Sequence, residues 1–254
     1  MIVTDLDGTL LDHRNYSYEA ALPALEKVKA ARIPLVLASS KTEAEIMVLH
    51  QELDLGDVPA IVENGAGVVT PGERSSPSVD VYNSIRRALD DVLPRLRRAF
   101  DGFGDMDPKD IAAQTGLTDA AAELARERQF SEPGLWTGTD SELLELQEVL
   151  ASSGIAARFG GRFLTLSMGH TKADAVRDVA ASLERDFVVA LGDAPNDIEM
   201  IELADIGVIV RNDHGTQIEM LPGETTGQIR RTNREGPAGW NAAVLQILTE
   251  LEGL

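Results

Sequence analysis

Short apolar segments alternate with helical segments near both ends of this 254-residue chain, and this alternation limits the possible folds more than any other feature. In residues 1–70, strand-like segments at 2–3, 33–38 and 60–62 are separated by helical patterns at 17–31 and 42–53. The apolar run at 33–38 suits a strand that is buried on both faces. Strands that alternate with helices predict a parallel sheet with right-handed crossovers.

The alternation stops in the middle of the chain and resumes near residue 170. Residues 70–78 are rich in Pro, Gly and Ser and predict a linker. The middle of the chain then shows helical patterns and one strand-like segment, at 80–100, 108–128, 139–153 and 162–168. The α/β rhythm returns as helix, strand, helix, strand and final helix, at 172–185, 187–191, 198–204, 206–210 and 240–254.

These patterns predict an α/β fold in which a Rossmann-like parallel-sheet core is interrupted by an inserted α+β domain. The core is predicted at residues 1–75 and 170–254, and the insertion at residues 76–169.

Charge and cysteine content exclude several classes of function. The chain has 42 acidic and 23 basic residues, a net charge of −19, so we expect neither nucleic acid nor an anionic membrane as a partner. An anionic substrate would need local cations in its site. The absence of cysteine excludes disulfides, zinc–thiolate sites and a cysteine nucleophile. No signal-peptide pattern or apolar run of about 18 residues is present, which predicts a cytoplasmic protein. The sequence is compatible with both a monomer and a homodimer.

The segment Asp5-Leu6-Asp7-Gly8-Thr9 follows the first predicted strand. Parallel sheets bind ligands beyond the carboxyl ends of their strands. One carboxylate there can attack phosphorus, and a second can protonate the leaving oxygen and then deprotonate water. Two close carboxylates also call for a hard cation such as Mg²⁺. The alternative is an acidic turn that only solvates the loop.

A second acidic segment, Gly192-Asp193-Ala194-Pro195-Asn196-Asp197, follows the strand at 187–191. Asp193 and Asp197 can complete a metal site with Asp5 and the backbone of Asp7. The alternative is helix N-capping by Asp193 or Asn196. Acidic residues at two strand ends of one sheet favour the metal site.

Two further positions fit phosphate chemistry. Ser39-Ser40-Lys41-Thr42 follows the strand at 33–38, where a hydroxyl and the free N–H groups of a helix start can cradle a phosphate. The alternative is an N-cap at Ser40. Lys172, at the start of a predicted helix, can neutralise the nucleophile and the phosphoryl oxygens, or it can be an exposed surface charge.

In their order along the chain these four segments resemble the four motifs of the haloacid-dehalogenase-like superfamily, and the insertion resembles a type-two α/β cap. The resemblance implies Mg²⁺ as cofactor and a role for each motif residue. These are nucleophile for Asp5, acid/base and main-chain metal ligand for Asp7, phosphate stabilisers for Ser39 and Lys172, second metal carboxylate for Asp193, and support of the lysine or of a metal-bound water for Asp197.

A finer resemblance concerns residues 62–67, 126–133, 160–163 and 236–240, which are similar to mannosyl-3-phosphoglycerate phosphatases. It implies hydrolysis of mannosyl-3-phosphoglycerate to mannosylglycerate, a compatible solute. Glucosyl-3-phosphoglycerate as substrate, another sugar phosphatase and a phosphomutase of the same superfamily remain alternatives.

The residues predicted to bind the phosphorylated small-molecule substrate are Thr9, Ser40, Lys41, Glu63, Asn64, Gly65, Arg128, Gly161, Arg162 and Asn196. Arg128 and Arg162 are candidates for holding a substrate carboxylate, because the guanidinium fork matches a carboxylate. For Arg128 the alternative is an exposed helix face that it shares with Glu123 and Glu127.

Overall fold

A computed structural model describes residues 1–72, 79–160 and 162–253. The chain divides into two compact units. The core unit comprises residues 1–39, 53–71 and 171–254, and the inserted unit comprises residues 40–52 and 72–170. The predicted boundary after residue 75 falls outside the described residues, as do most of the predicted linker and Gly161.

Strands and helices alternate over much of the chain. The strands are β1 (Ile2–Thr4), β2 (Leu35–Leu37), β3 (Ala60–Val62), β4 (Gly67–Val69), β5 (Phe100–Gly102), β6 (Ser131–Trp136), β7 (Ala156–Gly160), β8 (Phe163–Ser167), β9 (Val189–Gly192), β10 (Ile206–Arg211) and β11 (Ile229–Glu235). The helices are α1 (Leu22–Ala30), α2 (Glu43–Glu52), α3 (Val79–Asp90), α4 (Pro94–Ala99), α5 (Pro108–Thr115), α6 (Asp119–Arg126), α7 (Asp140–Ala151), α8 (Lys172–Ser182), α9 (Ile198–Leu203), α10 (Pro222–Thr226) and α11 (Gly236–Glu252).

The core unit contains a parallel five-stranded sheet in the order β11-β10-β9-β1-β2. The short strand β1 lies between β2 and β9, where Val3 pairs with Val36 on one side and Ala190 on the other. Strands β1, β2 and β9 consist of buried residues, as expected for parallel strands that are covered on both faces. The predicted fold class, α/β with a Rossmann-like parallel-sheet core and an inserted α+β domain, is confirmed.

The loops after β1, β2 and β9 leave the same edge of this sheet, because the three strands are parallel. The C-terminal helix α11 is anchored close to that edge. Its Trp240 is fully buried, and the indole Nε1–H donates a hydrogen bond of 2.9 Å to Thr4 Oγ1. The described residues contain no helix that is long and apolar enough to cross a membrane.

The inserted unit is built on an antiparallel sheet in the order β5-β6-β8-β7. Only β8 was expected from the sequence pattern. The predicted helix at 80–100 is two helices, since Pro94 begins α4 and the chain then turns into β5. The predicted helix at 108–128 is also two, because α5 ends at Gly116 in the left-handed conformation and Thr118 caps α6.

The segment 40–52, which the prediction assigned to the core, groups with the inserted unit. Its start is held there by side chains. Thr42 Oγ1 donates to the carbonyl of Leu124 at 2.8 Å, and Gln129 Nε2 donates to Glu43 Oε2 at 2.7 Å.

Candidate active site

A buried lysine joins two carboxylates in the core unit. Lys172 is the first residue of α8, whose N-cap Thr171 forms a reciprocal capping box with Asp174. Its Nζ lies 2.6 Å from Asp5 Oδ1 and 2.7 Å from Asp197 Oδ1, and the lysine is 1% exposed. Three residues from separate parts of the chain are therefore brought to one point.

Burial and charge act in opposite directions on this group. Burial disfavours the ammonium of Lys172, but the negative charges of Asp197 and Asp5 outweigh burial and raise its pKa. Burial raises the pKa of Asp5 well above its usual range, and the positive charge of Lys172 opposes that rise. The lysine therefore stays charged at neutral pH, and a further cation beside Asp5 would favour its carboxylate form.

Two side-chain donors hold Asp193. Its Oδ1 accepts a hydrogen bond from the Thr9 hydroxyl, and its Oδ2 accepts one from Asn212 Nδ2 at 2.7 Å. Burial raises the pKa of Asp193, while these two donors act to lower it. Asp197 Oδ2 accepts the backbone N–H groups of Asp193 and Ala194, both at 3.1 Å, which ties the turn after β9 together.

Asp5, Asp193 and Asp197 can hold a divalent cation. Each offers a carboxylate oxygen, and these atoms lie within 4.8 Å of one another. All three residues are buried, with exposures of 8%, 6% and 0%. Three carboxylates and one ammonium sum to two negative charges, and all-oxygen ligands suit a hard cation. Asp7, predicted to contribute its backbone, is half-buried and bridges to Leu11 in the same loop.

A second group of predicted residues meets after β2 and β3. The Asn64 backbone N–H donates to the carbonyl of buried Ser39 at 2.8 Å, and Asn64 Oδ1 accepts from Asn196 Nδ2 at 3.1 Å. Glu63 and Asn64 have φ values of 51° and 61°. Gly65 has φ 90°, and a Cβ there would collide with the backbone of Thr171. This turn thus packs against the start of α8.

The remaining predicted residues lie in the inserted unit. Arg128 Nη1 donates to the carbonyl of Ser40 at 2.9 Å, and Arg162 Nη1 donates to the carbonyl of Gln114. Lys41 is half-buried at the start of the 40–52 segment, next to Ser40.

The two arginines flank an aromatic pair. Arg128 lies 5.8 Å from the ring centroid of Phe103, and Arg162 lies 5.7 Å from that of Phe163. The two rings meet edge to face, with centroids 5.2 Å apart. Among the described residues, neither guanidinium forms an ion pair with a carboxylate.

One residue that contacts the acidic cluster, Asn212, is not among those predicted from the sequence. Asn212 follows β10, the neighbour of β9 in the sheet, so the rule that ligands lie beyond the carboxyl ends of parallel strands could have indicated it. Thr9, predicted to bind the substrate, donates its hydroxyl hydrogen bond to Asp193.

A family model described as haloacid dehalogenase-like hydrolase matches residues 2–78 and 145–223. The chain belongs to this family. The predicted superfamily is thus confirmed, and the matched residues include all four motifs that suggested it.

Two curated relatives match this haloacid dehalogenase-like hydrolase along nearly its whole length. Both are named glucosyl-3-phosphoglycerate/mannosyl-3-phosphoglycerate phosphatase. The one from Persephonella marina is 35% identical and covers 99% of this chain and 98% of its own. The one from Methanococcoides burtonii is 32% identical and covers 98% and 97%. Together with the family match, they confirm the predicted enzyme class, a phosphoric monoester hydrolase.

Solved structures share the fold of this hydrolase. The sucrose-phosphatase of Synechocystis sp., solved with sucrose and phosphate, has a TM-score of 0.63 at 16% identity and covers 99% of this chain and 97% of its own. A haloacid dehalogenase-like hydrolase from Bacteroides thetaiotaomicron has a TM-score of 0.64 at 21% identity, with coverage of 97% and 98%.

Proposed function

We propose that this enzyme is an Mg²⁺-dependent phosphatase that hydrolyses mannosyl-3-phosphoglycerate through an aspartyl-phosphate on Asp5. The observation that carries the proposal is the buried group in which Lys172 contacts Asp5 and Asp197 beside Asp193. The names of the two relatives support the substrate class, and they favour glucosyl-3-phosphoglycerate as the second candidate.

The reaction has two displacements at phosphorus. In the first, an Asp5 carboxylate oxygen attacks phosphorus, the bond from phosphorus to the substrate oxygen breaks, and the Asp7 carboxylic acid protonates that oxygen. In the second, Asp7 takes a proton from water, the water oxygen bonds to phosphorus, and the Asp5–phosphate bond breaks. Inorganic phosphate and free Asp5 carboxylate result, so atoms and charge balance.

Other residues stabilise the charge on the transferring group. Lys172 offsets the negative charge of Asp5, so that the nucleophile and an anionic phosphate can approach each other. The Ser39 hydroxyl is proposed to hold a phosphate oxygen. Asp5, Asp193, Asp197 and the backbone of Asp7 would hold Mg²⁺. When bound, the cation neutralises phosphate charge and polarises the phosphoryl oxygens.

We further propose that the inserted unit acts as a cap that selects the substrate, broadly residues 76–169 as the sequence predicts. Arg128 and Arg162 would bind the carboxylate of the glycerate group. Two cations beside an aromatic surface, each without an ion-pair partner among the described residues, suit an anion that also has an apolar stem.

The remaining predicted substrate residues have less specific roles. Lys41 and Ser40 would add a charge and a hydroxyl toward the phosphate. Glu63, Asn64, Gly65 and Asn196 would border the substrate through the turn that joins them. Gly161 lies outside the described residues and keeps its proposed role from the sequence alone.

Phosphate release from a substrate panel tests this proposal. With Mg²⁺ present, kcat/KM is expected to be highest for mannosyl-3-phosphoglycerate or glucosyl-3-phosphoglycerate, above 3-phosphoglycerate, mannose 6-phosphate and sucrose 6-phosphate. A clear lead for a plain hexose phosphate would overturn the substrate assignment. Transfer of phosphate to a sugar instead of to water would identify a phosphomutase.

A further inference from the structure

The geometry points to Asn212 as a positioning residue that holds the Asp193 carboxylate in the orientation that binds the cation. This inference rests on the proposed cation-dependent function. It concerns a residue outside the four motifs, in the loop after β10.

Asn212 and Thr9 hold the two oxygens of one carboxylate. Asn212 Nδ2 donates to Asp193 Oδ2 at 2.7 Å, and the Thr9 hydroxyl donates to Oδ1. A carboxylate oxygen accepts about two hydrogen bonds or ligand contacts, so each oxygen retains capacity for a cation. With a donor on each oxygen, the carboxylate cannot rotate without losing a hydrogen bond.

The orientation of the Asn212 amide is itself fixed. The backbone N–H of His214 donates to Asn212 Oδ1 at 2.9 Å. Because the oxygen end of the amide is occupied by a donor, the nitrogen end is the one that faces Asp193. The loop after β10 therefore presents a donor, not an acceptor, to the carboxylate.

Two glycines leave the space that this amide occupies. A Cβ on Gly8, which has φ 89°, would lie 2.5 Å from Asn212 Nδ2 and 2.8 Å from Asp193 Oδ2. A Cβ on Gly215 would lie 3.0 Å from the same nitrogen. The glycine in the first motif thus makes room for Asn212, a residue near the other end of the chain.

The energetic consequence concerns cation affinity. Groups that orient a metal ligand from behind typically contribute 10- to 100-fold in metal affinity. Loss of the Asn212 donor would free Asp193 to turn away from the position at which Asp5 and Asp197 offer their oxygens.

Isothermal titration with Mg²⁺ and with Mn²⁺, on the full chain without substrate, tests the inference. Asn212→Ala is expected to raise the Kd for both ions by roughly 10- to 100-fold. Turnover of an aryl phosphate should recover substantially at saturating Mg²⁺, because the catalytic groups remain. Asn233→Ala, which changes an exposed asparagine on β11, is the matched control and should bind as the wild type does.

The possible results are distinct. An unchanged Kd in a folded Asn212→Ala variant overturns the inference and leaves the proposed function intact. A wild-type chain that binds neither ion overturns both. Gly215→Ala is a second test variant, because its added methyl group would press on the Asn212 amide. A rise in Kd smaller than that of Asn212→Ala supports the inference. If Asn212→Ala does not fold, the Kd of Gly215→Ala decides the question.

Discussion

At the scale of single residues, Lys172 explains why three buried aspartates can coexist. Removing a carboxylate or an ammonium from water costs several kcal/mol, and this cost is offset only when partners lie in direct contact. Lys172 provides that contact to Asp5 and Asp197 at 2.6 and 2.7 Å. Asp193 depends instead on neutral donors, and a cation is the natural completion of its surroundings.

We predict that Asp5→Asn folds but loses turnover. An amide cannot form the acyl phosphate, so kcat should fall by about three orders of magnitude or more, as for other removed nucleophiles. Single-turnover assays with radiolabelled substrate should detect no phosphoenzyme in the variant. The control is Asp57→Asn, at an exposed position of the core unit. Wild-type turnover in Asp5→Asn would refute the covalent mechanism.

Arg162→Ala tests recognition of the substrate carboxylate. Loss of a charge-assisted hydrogen bond is expected to lower kcat/KM for mannosyl-3-phosphoglycerate by about 10- to 100-fold, equivalent to roughly 1.5–3 kcal/mol. An aryl phosphate, which has no carboxylate, should be little affected. Arg158→Ala, at an exposed position of β7, is the matched control. Equal losses on both substrates would remove Arg162 from this role.

At the scale of elements, the inserted unit is held together by an ionic network between α3, α4 and β6. Glu132 on β6 is fully buried and accepts hydrogen bonds from Tyr82, Arg86 and the backbone N–H of Gly104, at 2.7–2.9 Å. Arg86 also reaches Asp105, at 2.5 Å. Arg97 reaches the same oxygen of Asp105 at 2.8 Å. Every charge in this network faces a partner of opposite sign.

This network predicts a pH-dependent contribution to stability. Burial works against the charged form of Asp105, but the hydrogen bonds from Arg86 and Arg97 outweigh it and lower the pKa to about 2. The unfolded value is roughly 4. The stabilisation is therefore complete above about pH 4 and is lost as the pH falls toward 2. Burial raises the pKa of Glu132, so the contribution of Glu132 to stability changes with pH in the opposite direction to that of Asp105.

Asp105→Asn should therefore reduce the free energy of unfolding at pH 7 by roughly 1–3 kcal/mol. The gap between variant and wild type should close between about pH 4 and pH 2. Urea unfolding at several pH values measures both. Asp101→Asn, at an exposed position of β5, is the control. A gap that stays constant down to pH 2 would contradict the assigned role of Asp105.

The parallel core was predictable because its strands are short apolar runs bounded by turns, as in β2 and β9. The strands of the inserted unit were not, because β6 contains Pro133 and Gly134, two residues that usually argue against a strand with neighbours on both sides. Strand β11 is rich in arginine and lies at the sheet edge, where apolar alternation is not required.

In the candidate site, too, some residues could be predicted from the sequence and others could not. Asp5 and Asp193 could be anticipated, because each follows a recognisable strand of one sheet. The position of Asn212 at the carboxyl end of β10 follows from the same rule, but its contact with Asp193 and the partner of Thr9 could not be anticipated. Both depend on the path of a loop and on the space beside Gly8, which no periodic pattern encodes.

At the scale of the whole molecule, the net charge of −19 attracts cations, both to a specific site and diffusely to the protein surface. A specific site should still be distinguishable, because a ligand that binds only the folded chain stabilises it according to its own Kd. Diffuse screening depends on ionic strength alone.

We therefore predict that Mg²⁺ stabilises the protein and that EDTA reverses this. At a concentration of about 100 times Kd, the gain is about 2.7 kcal/mol, visible as a rise in melting temperature by calorimetry. EDTA should also abolish activity, and added Mg²⁺ should restore it. NaCl at matched ionic strength is the solvent control, and Asp193→Asn is the protein control; a gain of the same size in that variant would exclude the carboxylate cluster as the cause.

The position of β1 between β2 and β9 has a consequence for biosynthesis. The first strand to leave the ribosome needs β9 as one of its two neighbours, and Thr4 needs Trp240. The five-stranded sheet therefore cannot be completed until almost the entire polypeptide has been translated. The antiparallel sheet of the inserted unit uses only residues 100–167, so its strands are available earlier. On this order of events Asp5, the proposed nucleophile, is made first, and it meets Lys172, Asp193 and Asp197 only near the end of synthesis.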